Sequence, residues 1–472
     1  MERRHFLNLL VGTAIASQTG WPSLSHAQTA SGTNNPATTP AQLTWRNWSG
    51  CQSSTPSHRL APSSISELQE IVANPGHKNS RLRPVGSGHS FSPLVPTNDI
   101  LVSLARLNGI LSHDDSRCRA RIATGTLLGQ LGRPLESVNQ ALFNMPDIDQ
   151  QSLGGLLATA THGTGATLMS LSGYIEGLTL VTAQGEVIQC SRDHNPDIFQ
   201  AARVSLGSLG FVTDVILQNS RPYRLRKTTE WLAIDDILTT ADTMAGKHRN
   251  YEFYYIPFSG MGFTSIHDIT NEPASETPAI DQNDGARDLQ QARDYLSWSP
   301  RLRRLILGSY MRTLSTEVKV ASSWQNYTSD RNVRFNEMEY HLPRENWQVA
   351  FRKVMELIET KFPEVFFPVE VRFVKGDDAW LSPFYRRDSV SIAVHRFFED
   401  DYTALFTAVE PILRHYGGRP HWGKLNTLTA NDFQALYPKW QEFCEVREHL
   451  DPNGRFLNPY LAQLFTRSKA TV

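Results

Sequence analysis

Cysteine is scarce. The 472 residues hold four, at Cys51, Cys118, Cys190 and Cys444, and no two form a CxxC pair. That spacing excludes a thiolate zinc ribbon and a thioredoxin-like redox pair, and it defines no disulfide framework, so free, buried thiols are expected. Charge excess is also missing. Lys and Arg number 46 against 47 Asp and Glu, a net charge of −1, which offers nothing for nucleic acid or an anionic membrane surface. Several motifs are absent. Gly86-Ser87-Gly88 lacks the third glycine of GxGxxG, and there is no GxxxxGK[ST], HExxH or GxSxG. A Rossmann dinucleotide site, a P-loop, a zincin and a serine-hydrolase elbow are thereby excluded. Histidine and cysteine spacing offers no metal site. No apolar run has the length of a comfortable membrane span.

What is present suits a protein with sizeable cores. Hydrophobic residues make up 40 % and aromatics 10 %, and the ten Trp and 14 Tyr suit ring stacking as well as core filling. The first residues read as a leader. Arg3-Arg4-His5-Phe6-Leu7, a modest apolar run to Ala16, and Ser25-His26-Ala27 before Gln28 have the pattern of a twin-arginine signal peptide over residues 1–27. That pattern implies the twin-arginine export machinery as a partner and a periplasmic or otherwise exported location, an uncleaved membrane anchor being the alternative. Residues 28–40, rich in Thr, Ala, Pro and Asn, read as a disordered linker.

From residue 41 to 222 strand and helix patterns alternate. Ile65, Leu68, Ile71 and Val72 have helical spacing behind the cap candidate Ser64. Residues 100–104, 119–123 and 211–217 read as strands, 127–138 and 197–203 as helices, and 175–181 with 185–188 as a hairpin. Two uncharged, small-residue stretches stand out. The first, Pro84-Val85-Gly86-Ser87-Gly88-His89-Ser90, puts two glycines where the backbone can turn at positive φ and present N–H groups to an anion. Alone, it fits a solvated surface loop equally well. The second runs from Gln151 to Gly165 and includes Ser152, Gly154, Gly155, Thr161, His162, Gly163 and Thr164. Alone, it fits a tight turn in a packed core. Two such stretches about sixty residues apart suit one extended dinucleotide.

From 223 to 418 the character changes to strands with polar alternation, among them 251–256 and 338–341. Residues 271–288 read as a loop, and 286–297 and 345–361 as helices. Glu370 and Arg372 stand two apart in Val369-Glu370-Val371-Arg372-Phe373, so on a strand they share a face. Spacing alone fits a surface ion pair as well as a grip on a polyol.

Together these residues resemble a known family. Val85–Ser90 and Ala160-Thr161-His162-Gly163-Thr164-Gly165 resemble the FAD domain of the vanillyl-alcohol-oxidase family. Val369–Phe373, Gly376-Asp377-Asp378, Leu381-Ser382-Pro383, Arg419-Pro420-His421-Trp422-Gly423-Lys424 and the tail from Phe443 to Asn458 are similar to its aldonolactone oxidase branch, whose relatives include alditol oxidase. The resemblance spans roughly residues 43–465.

It implies an α+β fold: a two-part FAD-binding domain over 41–222, an α+β substrate (cap) domain over 223–418, and a segment 419–472 that returns to the flavin. It implies FAD as cofactor, with Pro84, Val85, Gly86, Ser87, Gly88 and Ser90 at the pyrophosphate. His89 would be bonded to the flavin 8α-methyl. Ser152, Gly154, Gly155, Thr161, His162, Gly163 and Thr164 would line the cofactor, with Val212 at the adenine. Glu370 would position a sugar-lactone or polyol substrate, Arg372 would contact substrate and flavin, and Lys424 would add a polar contact. Pro146 matches the position where Gly or Pro accompanies oxygen use in this family, so molecular oxygen is the implied acceptor. A dehydrogenase passing electrons to a cytochrome or quinone is the alternative. Asp147 departs from the Ser or Ala of relatives, which bears on the substrate pocket. The resemblance names no proton acceptor, and His341 and His395 are secondary candidates beside a structural role.

Overall fold

The computed structural model describes residues 44–275, 282–328 and 333–465. The leader and linker, residues 1–40, lie outside them. Three sheets organise the chain. His58–Leu60, Ile100–Ser103 and Leu82–Val85 form a parallel sheet with Ile100–Ser103 in the middle. Helix Ile65–Ala73 joins its first two sequential strands. Its cap is the one the sequence suggests, with Ser64 Oγ accepting from the Glu67 N–H at 3.0 Å.

A five-stranded antiparallel sheet follows, in the order Ile110–Asp114, Arg119–Ala123, Phe211–Gln218, Ile175–Val181, Val187–Ser191. Residues 127–138 differ from expectation. A 3-10 turn, Leu128–Gln130, precedes a short helix, Gly132–Ser137. Pro134 has no N–H to bond back to residue 130, so one continuous helix cannot pass through it.

Between Gln218 and Arg224 the chain passes into an eight-stranded sheet. Four of its strands carry the site: β1 (Asn250–Ile256), β2 (Phe335–Pro343), β3 (Val369–Val374) and β4 (Ser389–Phe397). Their spatial order is β1-β3-β4-β2, all antiparallel. Alternation along a strand divides their side chains between two faces. One face is apolar: Phe253, Tyr255, Met338, Tyr340, Leu342, Val371, Phe373, Ile392 and Val394, none more than 1 % exposed. Helices Trp347–Lys361 and Thr403–His415 cover it. Phe253 meets the edge of Phe351 at 5.5 Å between centroids, and Trp347 that of Phe373 at 5.7 Å. The other face is polar and carries Glu252, Tyr254, Glu337, Glu339, His341, Glu370, Arg372, Ser391 and His395. The register places Tyr254, Glu370, Ala393 and Glu339 in one row and Glu252, Arg372, Ser391 and His341 in the next.

The polar face meets the second Gly-rich segment, where His162 Nε2 bonds Glu339 at 3.0 Å. Thr164 donates to the Tyr251 carbonyl and accepts from the Phe373 N–H at 3.2 Å. The described residues form one compact unit. The expected loop over 271–288 is shorter than the sequence suggests: a helix, Gln282–Leu296, already covers its last residues, and 276–281 lie outside the described residues. No helix among the described residues is long and apolar enough to cross a membrane.

Candidate active site

The turn after strand Leu82–Val85 is held from both chain ends. The Trp48 N–H donates to Gly88 O at 2.8 Å, and Asn47 Nδ2 donates to Ser90 O at 3.0 Å. The Phe91 N–H donates to Gly423 O at 2.7 Å. Gly88 sits at φ +73°, a conformation a side chain would strain. Arg83, beneath the turn, donates to the carbonyls of Leu94, Gly207, Phe456 and Leu206. No carboxylate among the described residues pairs with it, and burial lowers its guanidinium to about 9.

The two Gly-rich stretches meet here. A Cβ built on Gly86 would lie 2.1 Å from Ser152 Oγ and 3.8 Å from Gly155 Cα. Gly86, Ser87 and Gly155 are nevertheless solvent-exposed. Bare backbone on both sides of an open seam is the cradle a dinucleotide needs, and the residues present fit FAD. Gly154 packs against Thr124, whose hydroxyl donates to the Val212 carbonyl, so Val212 borders the same seam. Gly163 lies against Met145 O, where a Cβ would stand 2.3 Å away, and Asn144 Nδ2 donates to Thr164 O at 3.0 Å. That contact sets Pro146 and Asp147 beside the second stretch. Thr161 and His162 are buried.

His89 stacks on Trp48 at 5.7 Å. Burial, helped by the charge of Lys424, pushes its imidazole down to about 4. It is therefore neutral at neutral pH and carries a nucleophilic lone pair.

Glu370, Arg372 and Lys424, the candidate substrate contacts, meet in a narrow cavity of about 60 Å³. Asp147, Tyr254, Glu337, Glu370, Arg372, His395 and Lys424 line it, with Ile148, Phe335, Phe367 and Pro368. Glu370 and Arg372 are both buried and paired with each other. Arg372 also holds Asp147 and Glu252, each at 3.2 Å. Burial raises the Glu370 carboxyl to about 8; Asp147 and Glu252 add to the rise, against the pull of Arg372. Tyr254 donates to Glu370 from the neighbouring strand.

Lys424 is placed by an aromatic column. Trp422 stacks on Phe433 at 4.6 Å and Tyr437 at 5.1 Å, and its Nε1 donates to Leu381 O at 2.6 Å. Lys424 Nζ then reaches Glu337, lies 3.9 Å from Glu339, and sits 5.2 Å over the Phe91 ring. Burial opposes its charge, but the two carboxylates leave its ammonium raised above the ordinary value.

The sequence spacing suggested no metal site, yet folding gathers His162, Glu339 and His341, whose ligand atoms lie within 4.8 Å of one another. His162 Nε2 bonds Glu339 at 3.0 Å. Burial works against the Glu339 charge, but His162, His421 and His341 outweigh it and hold the carboxyl well below its usual range. Burial keeps His341 and His421 neutral, His421 at about 3. This cluster backs the cavity.

Glu252, Tyr254, Glu337 and Glu339 were missed in the sequence. The signal was there for two of them: Glu337, Glu339 and His341 alternate with Met338, Tyr340 and Leu342. The four cysteines are free, Cys190 buried and its thiol pushed by burial to about 12.

The family model of D-arabinono-1,4-lactone oxidase matches residues 215–464, and that of an FAD binding domain matches residues 56–191. The L-gulono-1,4-lactone dehydrogenase of Mycobacterium tuberculosis is 36 % identical over 88 % of this chain and 97 % of its own. The chain belongs to the D-arabinono-1,4-lactone oxidase family. The L-gulonolactone oxidase of Mus musculus is 32 % identical over 89 % of this chain and 98 % of its own. Among solved structures, cholesterol oxidase from Brevibacterium sterolicum superposes with a TM-score of 0.75 over 92 % of this chain and all of its own at 16 % identity, a likeness of fold. The aldonolactone oxidase family member described here is thus an FAD-dependent oxidoreductase acting on CH–OH groups, with the vanillyl-alcohol-oxidase type of FAD domain.

Proposed function

We propose that this flavoenzyme oxidises a secondary alcohol of a sugar 1,4-lactone and passes the electrons to oxygen, forming hydrogen peroxide. The observation that carries this reading is the buried Glu370–Arg372 pair, set with Asp147 and Lys424 in one cavity beside Pro146. Each cation there is already shared among carboxylates. Such a site offers donors and acceptors to the hydroxyls of a neutral ring rather than an unshared cation to a free acid.

FAD, when bound, supplies the hydride acceptor. Everything else falls to the chain. With its carboxyl raised to about 8, Glu370 carries a proton at neutral pH and donates to a substrate oxygen. Arg372, held by the Asp147 and Glu252 carboxylates and by the Glu370 carboxyl, presents its guanidinium in one orientation, which favours positioning of the reacting carbon. Lys424 and Arg372 together provide fixed positive charge where negative charge develops. The neutral His89 ring, stacked on Trp48, supports a covalent bond to the flavin. The leader pattern at Arg3-Arg4 supports export by the twin-arginine route.

The test is an anaerobic mix of purified protein with a panel of aldonolactones and alditols, followed by peroxide detection in air. Bleaching of the flavin by a lactone, with peroxide on aeration, is the expected result. Acid precipitation should leave yellow, fluorescent flavin in the pellet; complete release into the supernatant rules out the His89 bond. A second reading, a dehydrogenase with a cytochrome or quinone-type acceptor, is favoured by the similarity to the mycobacterial L-gulono-1,4-lactone dehydrogenase. Turnover with a dye or cytochrome but not with oxygen selects it. Turnover of alditols alone selects a polyol oxidase.

A further inference from the structure

The reaction above needs a donor aimed at a substrate oxygen, and a carboxyl group has two oxygens that could hold its hydrogen. We infer that Tyr254 is a positioning residue: with Arg372 it occupies one oxygen of the Glu370 carboxyl, so that the other, Oε2, carries the hydrogen and offers it to the substrate. The inference rests on the proposed alcohol oxidation.

Tyr254 on β1 pairs in register with Glu370 on β3. Residues directly opposite on one face of an antiparallel pair bring their side chains together. The phenol ring is stacked on Phe263, 4.5 Å between centroids and 11° between planes. Burial, then the charges of Glu252 and Glu370, raise the phenol well above its ordinary value. It therefore keeps its hydrogen across the working range and donates to Glu370 Oε1.

Arg372 Nη2 reaches the same oxygen. An oxygen that accepts from both a phenol and a guanidinium has both lone pairs in use and is the carbonyl oxygen of a protonated carboxyl. Oε2 has no hydrogen-bond partner among the described residues, and Glu370 lines the cavity. The hydrogen falls to Oε2, where it has nothing to bond until a hydroxyl enters. No bond breaks in this role; Oε2 donates a hydrogen bond and keeps its proton.

The charges around Glu370 favour the protonated form. Asp147, Glu252 and Glu370 share one guanidinium, Nε holding Glu252 and Nη2 holding Asp147 as well as Glu370. The fork of Arg372 is thus divided rather than closed on Glu370 alone. The other cation of the cavity, Lys424, is taken by Glu337 and Glu339, and His395 lies along the same cavity. Burial, listed with these neighbours, raises the Glu370 carboxyl to about 8.

The experiment compares the wild-type holoenzyme with Tyr254→Phe and Glu370→Gln. Phenylalanine keeps the ring on Phe263, and circular dichroism with flavin absorbance checks the fold. Infrared difference spectra across pH 8 should show a carboxylic C=O band in the wild type that is lost at high pH and absent from Glu370→Gln. In Tyr254→Phe that band should move to higher frequency, because one donor to the carbonyl oxygen is gone. It should also survive to higher pH, because the lost hydrogen bond favoured the charged form. With a lactone that bleaches the flavin, kcat/KM at neutral pH should fall about tenfold, the worth of one buried hydrogen bond. The alkaline fall in rate should move up with the band. A band at the wild-type frequency in Tyr254→Phe overturns the inference whatever the rate, and so does a moved band with kcat/KM within about twofold of wild type. A wild type with no such band overturns it too. If no lactone or alditol reduces the wild-type flavin, the functional reading falls, while the infrared comparison still decides the carboxyl arrangement.

Discussion

At the scale of single residues, the site depends on atoms that are absent and on protons that are displaced. Gly86 must lack a side chain, because a methyl there would stand 2.1 Å from Ser152 Oγ. Gly86→Ala should therefore purify without most of its FAD, by absorbance, while circular dichroism stays near wild type. Glu370 is the residue to follow with pH. Its carboxyl is raised to about 8, so it keeps its proton below that value and loses it above. The rate of flavin reduction should fall as pH rises through about 8, and Glu370→Gln, which cannot ionise, should lack that fall. Arg372 answers Asp147, Glu252 and Glu370 at once. Lysine has the charge but not the planar fork. Arg372→Lys should lower kcat/KM by about 10², the cost of misplacing a reacting group by an ångström. These three changes separate cofactor retention, proton state and positioning.

At the scale of elements, the strands were legible where alternation was clean. The Ser64 cap, the hairpin of Ile175–Val181 with Val187–Ser191, and the shared face of Glu370 and Arg372 all follow from residue spacing. Pairing across strands was not legible. Nothing in the spacing says that Glu252 comes opposite Arg372, or Glu337 opposite His395. These contacts join residues 120 and 58 positions apart in the chain, and register between distant strands is set by packing on the apolar face. The same limit applies to Asp377. The sequence marks Gly376-Asp377-Asp378 only as a motif. Folding makes Asp377 a hub that accepts from Ser170 Oγ at 2.8 Å, Ser382 Oγ at 2.7 Å and the Ala379 N–H at 3.2 Å. Asp377→Ala would strand buried hydroxyls and an N–H, at a cost of about 1–3 kcal/mol each. Thermal unfolding should show a clear drop in Tm, and Asp377→Asn a smaller one.

At the scale of the whole molecule, the tail fastens the FAD-binding part. Arg455 donates to the carbonyls of Val72, Ala183 and His77, and Asn458 Nδ2 donates to those of Pro93, Leu94 and Pro96. Truncation after Leu450 should yield protein that retains no FAD, checked by the absorbance of any soluble fraction. The turn that carries His89 makes the same point in time rather than space. It is gripped by Asn47 and Trp48 from one end of the described chain and by Trp422 and Gly423 from near the other, through Ser92 and Phe91. A ribosome delivers the second grip some 370 residues after the first. A nascent chain therefore has no finished cradle to offer a flavin, and the histidine cannot reach its neutral, stacked state ahead of schedule. The flavin bond proposed at His89 would then record that synthesis ran to its end, and colour in the purified protein would mark chains that completed the circuit.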